Sequence, residues 1–172
     1  MTYITLSDLD RLIKEKDSVR IQDILTHFKD RWNTLIPNLK KKHNIELKGL
    51  DLKNANLSGL DLSDVLIEDS DLSDSDLSDS DLSNTVISGS NFSNSNMSNV
   101  KMYSSRISQT NFSNAKVYKV KLHDTMMTGS VNLFSVYDSE HVYRTSPEIT
   151  EDGFKTLEAM EHADDDSKSN YY

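Results

Sequence analysis

A mainly-β solenoid, built from five-residue repeats and flanked by a helical N-terminal region and a C-terminal cap, is the fold class this sequence predicts. Three observations carry it. From Leu47 to Met127, seventeen consecutive fifth positions are apolar, and neither a helix nor an ordinary strand has a period of five. Two residues before most centres the side chain is small, as at Ala55, Ser70, Ser75, Ser80, Ser90, Ser95 and Ala115, which lets four short sides meet around a narrow core. Read every twenty residues, the centres also sort by shape. Both phenylalanine centres fall in the column Leu52, Leu72, Phe92 and Phe112, and the β-branched residues gather in Leu47, Ile67, Ile87, Ile107 and Met127.

Residues 1–44 read as a helical N-terminal cap. Thr5 is placed to cap a first helix, with Asp8 in its first turn and Leu9, Leu12 and Ile13 on one face. A second helix follows Asp17 and Ser18. Its apolar positions are Ile21, Ile24, Leu25, Phe28, Trp32, Leu35 and Ile36, and Pro37 is expected to end it. A basic cluster, Lys40, Lys41 and Lys42, comes next. Phe28, Trp32, Leu35 and Leu50 are assigned to covering the first coil, because an open strand edge invites association.

Residues 45–130 form the solenoid. After residue 130 the period lapses, since Asn132 falls where an apolar centre is due. Residues 131–163 are read as a C-terminal cap that ends in a helix begun by Ser146 and Pro147, with Ile149, Phe154, Leu157 and Met160 for packing. Residues 164–172 read as a disordered tail.

The repeat runs small, polar, apolar, Ser, polar, and stretches such as NANLSG, DSDLSD, GSNFSN and TNFSNA carry it. These resemble the A(D/N)LXX motif of the pentapeptide repeat family. The resemblance implies a right-handed quadrilateral β-helix with four repeats per coil. Slightly more than four coils then stack to about 20 Å at the usual strand spacing. The chain departs from the family motif in placing mostly Ser where Ala is usual. Those hydroxyls are expected to bond to backbone inside the coil.

The outward positions carry the functional argument. Asp61, Asp64, Glu68, Asp69, Asp71, Asp74, Asp76, Asp79 and Asp81 are nine acids with no basic residue among them in the sequence, whereas Lys101, Arg106, Lys116, Lys119 and Lys121 follow further on. An electrostatic dipole along the rod is expected, acidic near its start and basic near its end. Leu66, Val86 and Met126, interrupted by Arg106, form an outward apolar row on one face. Such a row calls for a cover. A helix of the same chain is favoured, with a second subunit as the alternative. Tyr103 and His123 are expected to stack on another face as a secondary contact point.

Composition narrows the function classes. The chain has no cysteine, which excludes disulfides and thiolate metal sites, and its net charge is −9. That charge repels phosphate backbones and anionic membranes, so no direct nucleic-acid or membrane binding is expected. No run approaches a membrane span, and the charged start does not read as a signal peptide, so a soluble cytoplasmic protein is expected. His27, His43, His123, His141 and His162 lack metal-ligand spacing, and no nucleophile elbow or phosphate loop is present. The carboxylates lie on an open convex surface rather than in a cleft. The reading is therefore a protein-binding module without cofactor, metal or catalytic residues.

Several members of the pentapeptide repeat family mimic double-stranded DNA and bind DNA gyrase or topoisomerase IV. The resemblance implies an acidic DNA-mimic inhibitor for this chain, its partner a basic surface on a DNA-handling protein. A phage or mobile-element inhibitor of a host nuclease, topoisomerase or defence protein would fit, acting in the host cytoplasm. The candidate docking residues are Asp61, Asp64, Asp69, Asp71, Asp74, Asp76, Asp79 and Asp81. The alternative is a scaffold or assembly module that uses the apolar face or the helical caps, as a homodimer or otherwise.

Overall fold

The computed structural model describes residues 4–122 and 125–128, and the backbone of a strand at Val136–Tyr137. Three helices, α1 (Leu6–Lys14), α2 (Ser18–His27) and α3 (Lys29–Lys40), precede seven short strands. These are β1 (Ile45–Lys48), β2 (Val65–Glu68), β3 (Val86–Ser88), β4 (Arg106–Ser108), β5 (Val117–Tyr118), β6 (Met126–Thr128) and β7 (Val136–Tyr137).

All the strand pairing is parallel. One sheet runs β1-β2-β3-β4-β6, and each strand registers on the next with a shift of twenty residues, as in Ile67 on Ile87 on Ile107 on Met127. Single bridges continue the same stacking on the other three sides. Asp51, Asp71, Asn91 and Asn111 form one ladder, Asn56, Asp76, Asn96 and Lys116 the second, and Asp61, Asp81, Lys101 and Lys121 the third. The result is a quadrilateral β-helix of about four coils. We number its faces by these ladders, with the five-stranded sheet as the fourth. Beyond the regular coils, β7 stacks on β5 with Val136 opposite Val117, a shift of nineteen residues. Strand stacking thus persists where the five-residue period of the sequence slips.

The interior holds the two rows expected of it. Centres such as Leu57, Leu77, Leu82, Ile87 and Phe92 are fully buried, and Phe92 stacks on Phe112 with ring centroids 5.1 Å apart. The inward serines are buried too, and their hydroxyls are satisfied by backbone. Ser75 donates to the Leu72 carbonyl and Ser80 to that of Leu77, both at 2.6 Å, and Ser95 donates to Phe92 at 2.7 Å. A buried hydroxyl with a partner costs little, which is why serine substitutes for alanine here.

The helices close the first coil. Thr5 and Asp8 form a reciprocal capping box on α1, as the sequence indicates. The second predicted helix is two helices, broken at Phe28, whose φ of −129° and ψ of 40° leave the α region. Phe28 is exposed rather than laid over the coil. Pro37 does not end α3, which continues to Lys40. Tertiary contacts of its last turn outweigh the lost hydrogen bond: Leu39 is buried, and Lys40 reaches Asp61 and Ser63.

What α3 offers the coil is a substitute for a missing neighbour. The Trp32 indole donates to the Asp61 carbonyl at 2.8 Å. The Asn33 amide donates to the Gly59 carbonyl and accepts from the Asp61 N–H, each at 2.8 Å. Lys29 reaches the Ser58 carbonyl at 3.1 Å. Side chains thus satisfy an edge that would otherwise present free backbone groups.

Candidate protein-docking surface

The five-residue geometry creates two outward positions whose residue type the backbone restricts. The residue before a centre accepts from the N–H two residues on. Asp71, Asp76 and Asp81 do this from Ser73, Ser78 and Ser83, and Asn91, Asn96 and Asn111 do it from Ser93, Ser98 and Ser113, all at 3.0–3.2 Å. The residue two after a centre lies in the left-handed region. Its φ is 55° at Asp64, 50° at Asp69, 58° at Asp74 and 61° at Asp79, and 57° at Asn84, 59° at Asn94 and 61° at Asn99. A short side chain bearing an oxygen serves both positions. Asp and Asn both serve them; Asp adds a charge and Asn an amide donor.

Stacking distributes the predicted acids around the rod. Asp71 and Asp74 lie on the first face, Asp76 and Asp79 on the second, Asp61, Asp64 and Asp81 on the third, and Glu68 and Asp69 on the fourth. They form a belt around the second coil, extended by Asp61 and Asp64 of the first, rather than a patch on one side. Lysines distant in sequence also enter it. Lys40 pairs with Asp61, Lys48 with Glu68 at 2.9 Å and Asp69 at 3.4 Å, Lys53 with Asp74 at 3.7 Å, and Lys101 with Asp81 at 3.6 Å. The unbroken acidic run of the sequence is thus partly neutralised in space. Among the described residues, Asp64, Asp71, Asp76 and Asp79 carry no ion pair.

Three of the belt carboxylates, Asp71, Asp76 and Asp61, are held in their charged form by their hydrogen-bond partners. Ser73, through its hydroxyl and its N–H, draws the Asp71 carboxyl below its ordinary range, with help from Lys53 and Asn91. Burial pushes Asp76 up, but Ser78, Asn96 and Lys29 more than offset it and leave the group lowered. Burial likewise raises Asp61, and Lys40 and Ser63 together bring it below the usual value.

Towards the other end the same two positions carry Lys101, Lys116, Lys119 and Lys121. Lys119 lies 5.1 Å over the Tyr118 ring. Leu66, Val86, Arg106 and Met126 stand in line across the fourth face, with Val86 at 36% and Met126 at 39% exposure. The N-terminal helices sit on the end of the rod and leave this row uncovered. The predicted C-terminal helix lies outside the described residues. Tyr103 is half-buried on the third face; His123, its expected neighbour, lies outside the described residues.

Among the described residues, no group of three or more His, Asp or Glu is placed to hold a metal, and no helix is long and apolar enough to cross a membrane. The fold and surface define a short parallel β-solenoid that presents charged ladders and one partly apolar sheet.

A family model for pentapeptide repeats matches in eight copies across residues 44–74, 67–102 and 75–114. Residues 44–114 are thus a pentapeptide repeat domain. A search of curated protein sequences finds no match. Among solved structures, the chain is similar to Rfr23, a pentapeptide repeat protein of the cyanobacterium Cyanothece 51142. Identity there is 20%, over 51% of this chain and 63% of that one, with a TM-score of 0.43. It is similar also to HetL of the cyanobacterium Nostoc sp. strain PCC 7120, a pentapeptide repeat protein involved in heterocyst differentiation regulation. That match has 20% identity, covers 47% and 38% of the two chains, and has a TM-score of 0.45. A third is QnrB1, a plasmid-mediated fluoroquinolone resistance protein, at 18% identity, 48% and 44% coverage and a TM-score of 0.28. Each match spans less than two thirds of the other protein's length.

Proposed function

We propose that the chain is a non-enzymatic docking protein whose acidic second coil engages a basic protein surface, as a DNA mimic that inhibits a DNA-handling protein. One observation carries this reading: on the first and second faces, at positions that accept either Asn or Asp, the second coil uses Asp and the third uses Asn. Asp71, Asp76 and Asp79 stack directly beneath Asn91, Asn96 and Asn99, and each accepts from the amide above at 2.9–3.2 Å. Folding does not require their charge, and clustering like charges opposes it. A partner's demand supplies a reason for it. A belt of carboxylates suits a concave basic partner that encloses a rod, as a cleft for duplex DNA does.

The test is capture from host extract at ~0.1 M salt, where screening leaves close charge pairs effective. Wild type is run beside a variant carrying Asp71→Asn, Asp74→Asn, Asp76→Asn and Asp79→Asn. The expected result is a DNA-binding protein held by wild type and lost with the variant. Retention by both assigns the belt to solubility alone. In that case the row of half-buried Leu66 and exposed Val86 and Met126 favours the second reading, a scaffold that docks through its sheet.

A further inference from the structure

We infer that the second face of the solenoid is a self-complementary surface that pairs two copies of this chain in antiparallel fashion. The inference does not rest on the proposed function. Above Asn56, which Lys29 holds, the ladder of this face reads Asp76, Asn96, Lys116, and above Gly59 the corner row beside it reads Asp79, Asn99, Lys119. Both rows are charge palindromes centred on the third coil. Place a two-fold axis in the plane of the face, along the strand direction, at Asn96 and Asn99. Every residue then meets the same row of the partner with its height reversed. Asp76 opposes the partner's Lys116 and Asp79 opposes the partner's Lys119, each twice by symmetry, and the asparagines meet at the axis. Such an isologous contact closes on itself as a dimer.

The row between the two ladders fits the same axis. Tyr118 projects from this face at 47% exposure and falls opposite Ser78, whose small side chain leaves room for the ring. Lys116 and Lys119 are exposed, and none of Asp76, Asp79, Lys116 and Lys119 has an ion pair among the described residues. The third face has a similar alternation, Asp61, Asp81, Lys101 and Lys121, but its charges are already used: Asp81 pairs with Lys101 and Asp61 with Lys40. On the first face the one base among the described residues, Lys53, is already paired with Asp74, and on the fourth a single arginine stands within the apolar row. One face of three coils is a small contact, so the dimer belongs to the weak, exchanging class.

Two double variants test the pairing by sedimentation equilibrium. Asp76→Lys with Asp79→Lys makes the face wholly basic; Lys116→Glu with Lys119→Glu makes it wholly acidic. Both are expected to fold, since lysine already occupies the equivalent positions two coils on, and far-UV circular dichroism checks this. Wild type is expected to rise with concentration from 19.5 kDa towards twice that mass. Each double variant alone should associate at least ~10-fold more weakly, since four ion pairs become four repulsions. An equimolar mixture of the two should recover the dimer.

Net charge alone predicts otherwise. The Asp→Lys variant moves it from −9 to −5, so general repulsion would make this variant associate more than wild type. Overturning results are a wild type that stays monomeric up to ~1 mM, double variants that associate like wild type, or a mixture that fails to pair. The Lys→Glu variant also separates the two proposals. It leaves every acid of the belt in place, so a basic protein partner is still captured when the dimer is lost.

Discussion

The second and third coils of the solenoid have the same backbone and nearly the same interior, yet they present different surfaces. Leu77 lies beneath Met97 and Leu72 beneath Phe92, all buried, and the inward serines bond to carbonyls in the same way in both coils. Outside, Asp71, Asp74, Asp76 and Asp79 give way to Asn91, Asn94, Asn96 and Asn99 at matching turns. The difference shows which properties the repeat constrains. It favours a short side chain with a hydrogen-bonding oxygen at these turns, tolerates lysine at the basic end, and leaves formal charge free for selection by something other than folding.

The comparison breaks most visibly if the shared core is not equivalent. Leu77→Ala and Met97→Ala are each expected to destabilise by about 2–5 kcal/mol in denaturant melts, with no systematic difference between coils. The left-handed turns come next. Asp79→Ala and Asn99→Ala should each cost about 1–2 kcal/mol, because Ala lacks the local tolerance of φ near 60°, whereas Asp79→Asn should cost almost nothing. At the accepting position, Asp76→Ala and Asn96→Ala should each lose about 0.5–1.5 kcal/mol by orphaning a serine N–H. A large effect of Asp76→Asn on stability would contradict the claim that the fold is blind to charge here; a change within ~0.5 kcal/mol is expected.

The smallest effect is the pH dependence, which Asp71 and Asp76 contribute and their asparagine counterparts do not. The folded-state pKa values of Asp71 and Asp76 are lowered. Their contribution to stability is therefore complete above the unfolded carboxyl value of about 3.9 and fades as pH falls through the folded one. Asn91 and Asn96 contribute no such term. Melting temperatures measured from pH 7 to 3 should fall more for wild type than for the four-Asn variant. Equal slopes would show that these carboxylates are indifferent to folding.

Legibility from sequence followed the range of the interactions. The helix start at Thr5 and Asp8, the buried centres and the serine-lined core are all local or strictly periodic, so the linear pattern specified them. The passage of α3 through Pro37 was not legible, because the burial of Leu39 and the reach of Lys40 to Asp61 and Ser63 decide it, and the helical period ran unbroken across Phe28. At the docking surface the acids were readable as a run. Their belt-like spread, and the entry of Lys40, Lys48, Lys53 and Lys101 among them, required the stacking itself.

By itself the sequence determined the five-residue period, the two interior rows, the polar outward positions, and the reversal of charge along the chain. A repeat that registers every twenty residues turns those one-dimensional facts into columns. Only the tertiary structure decided which charges meet. Stacking brings residues twenty apart to adjacent coils and turns residues five apart onto different faces. Neutralised pairs, unpaired carboxylates and the palindrome of the second face are therefore properties of neighbouring coils rather than of neighbouring residues.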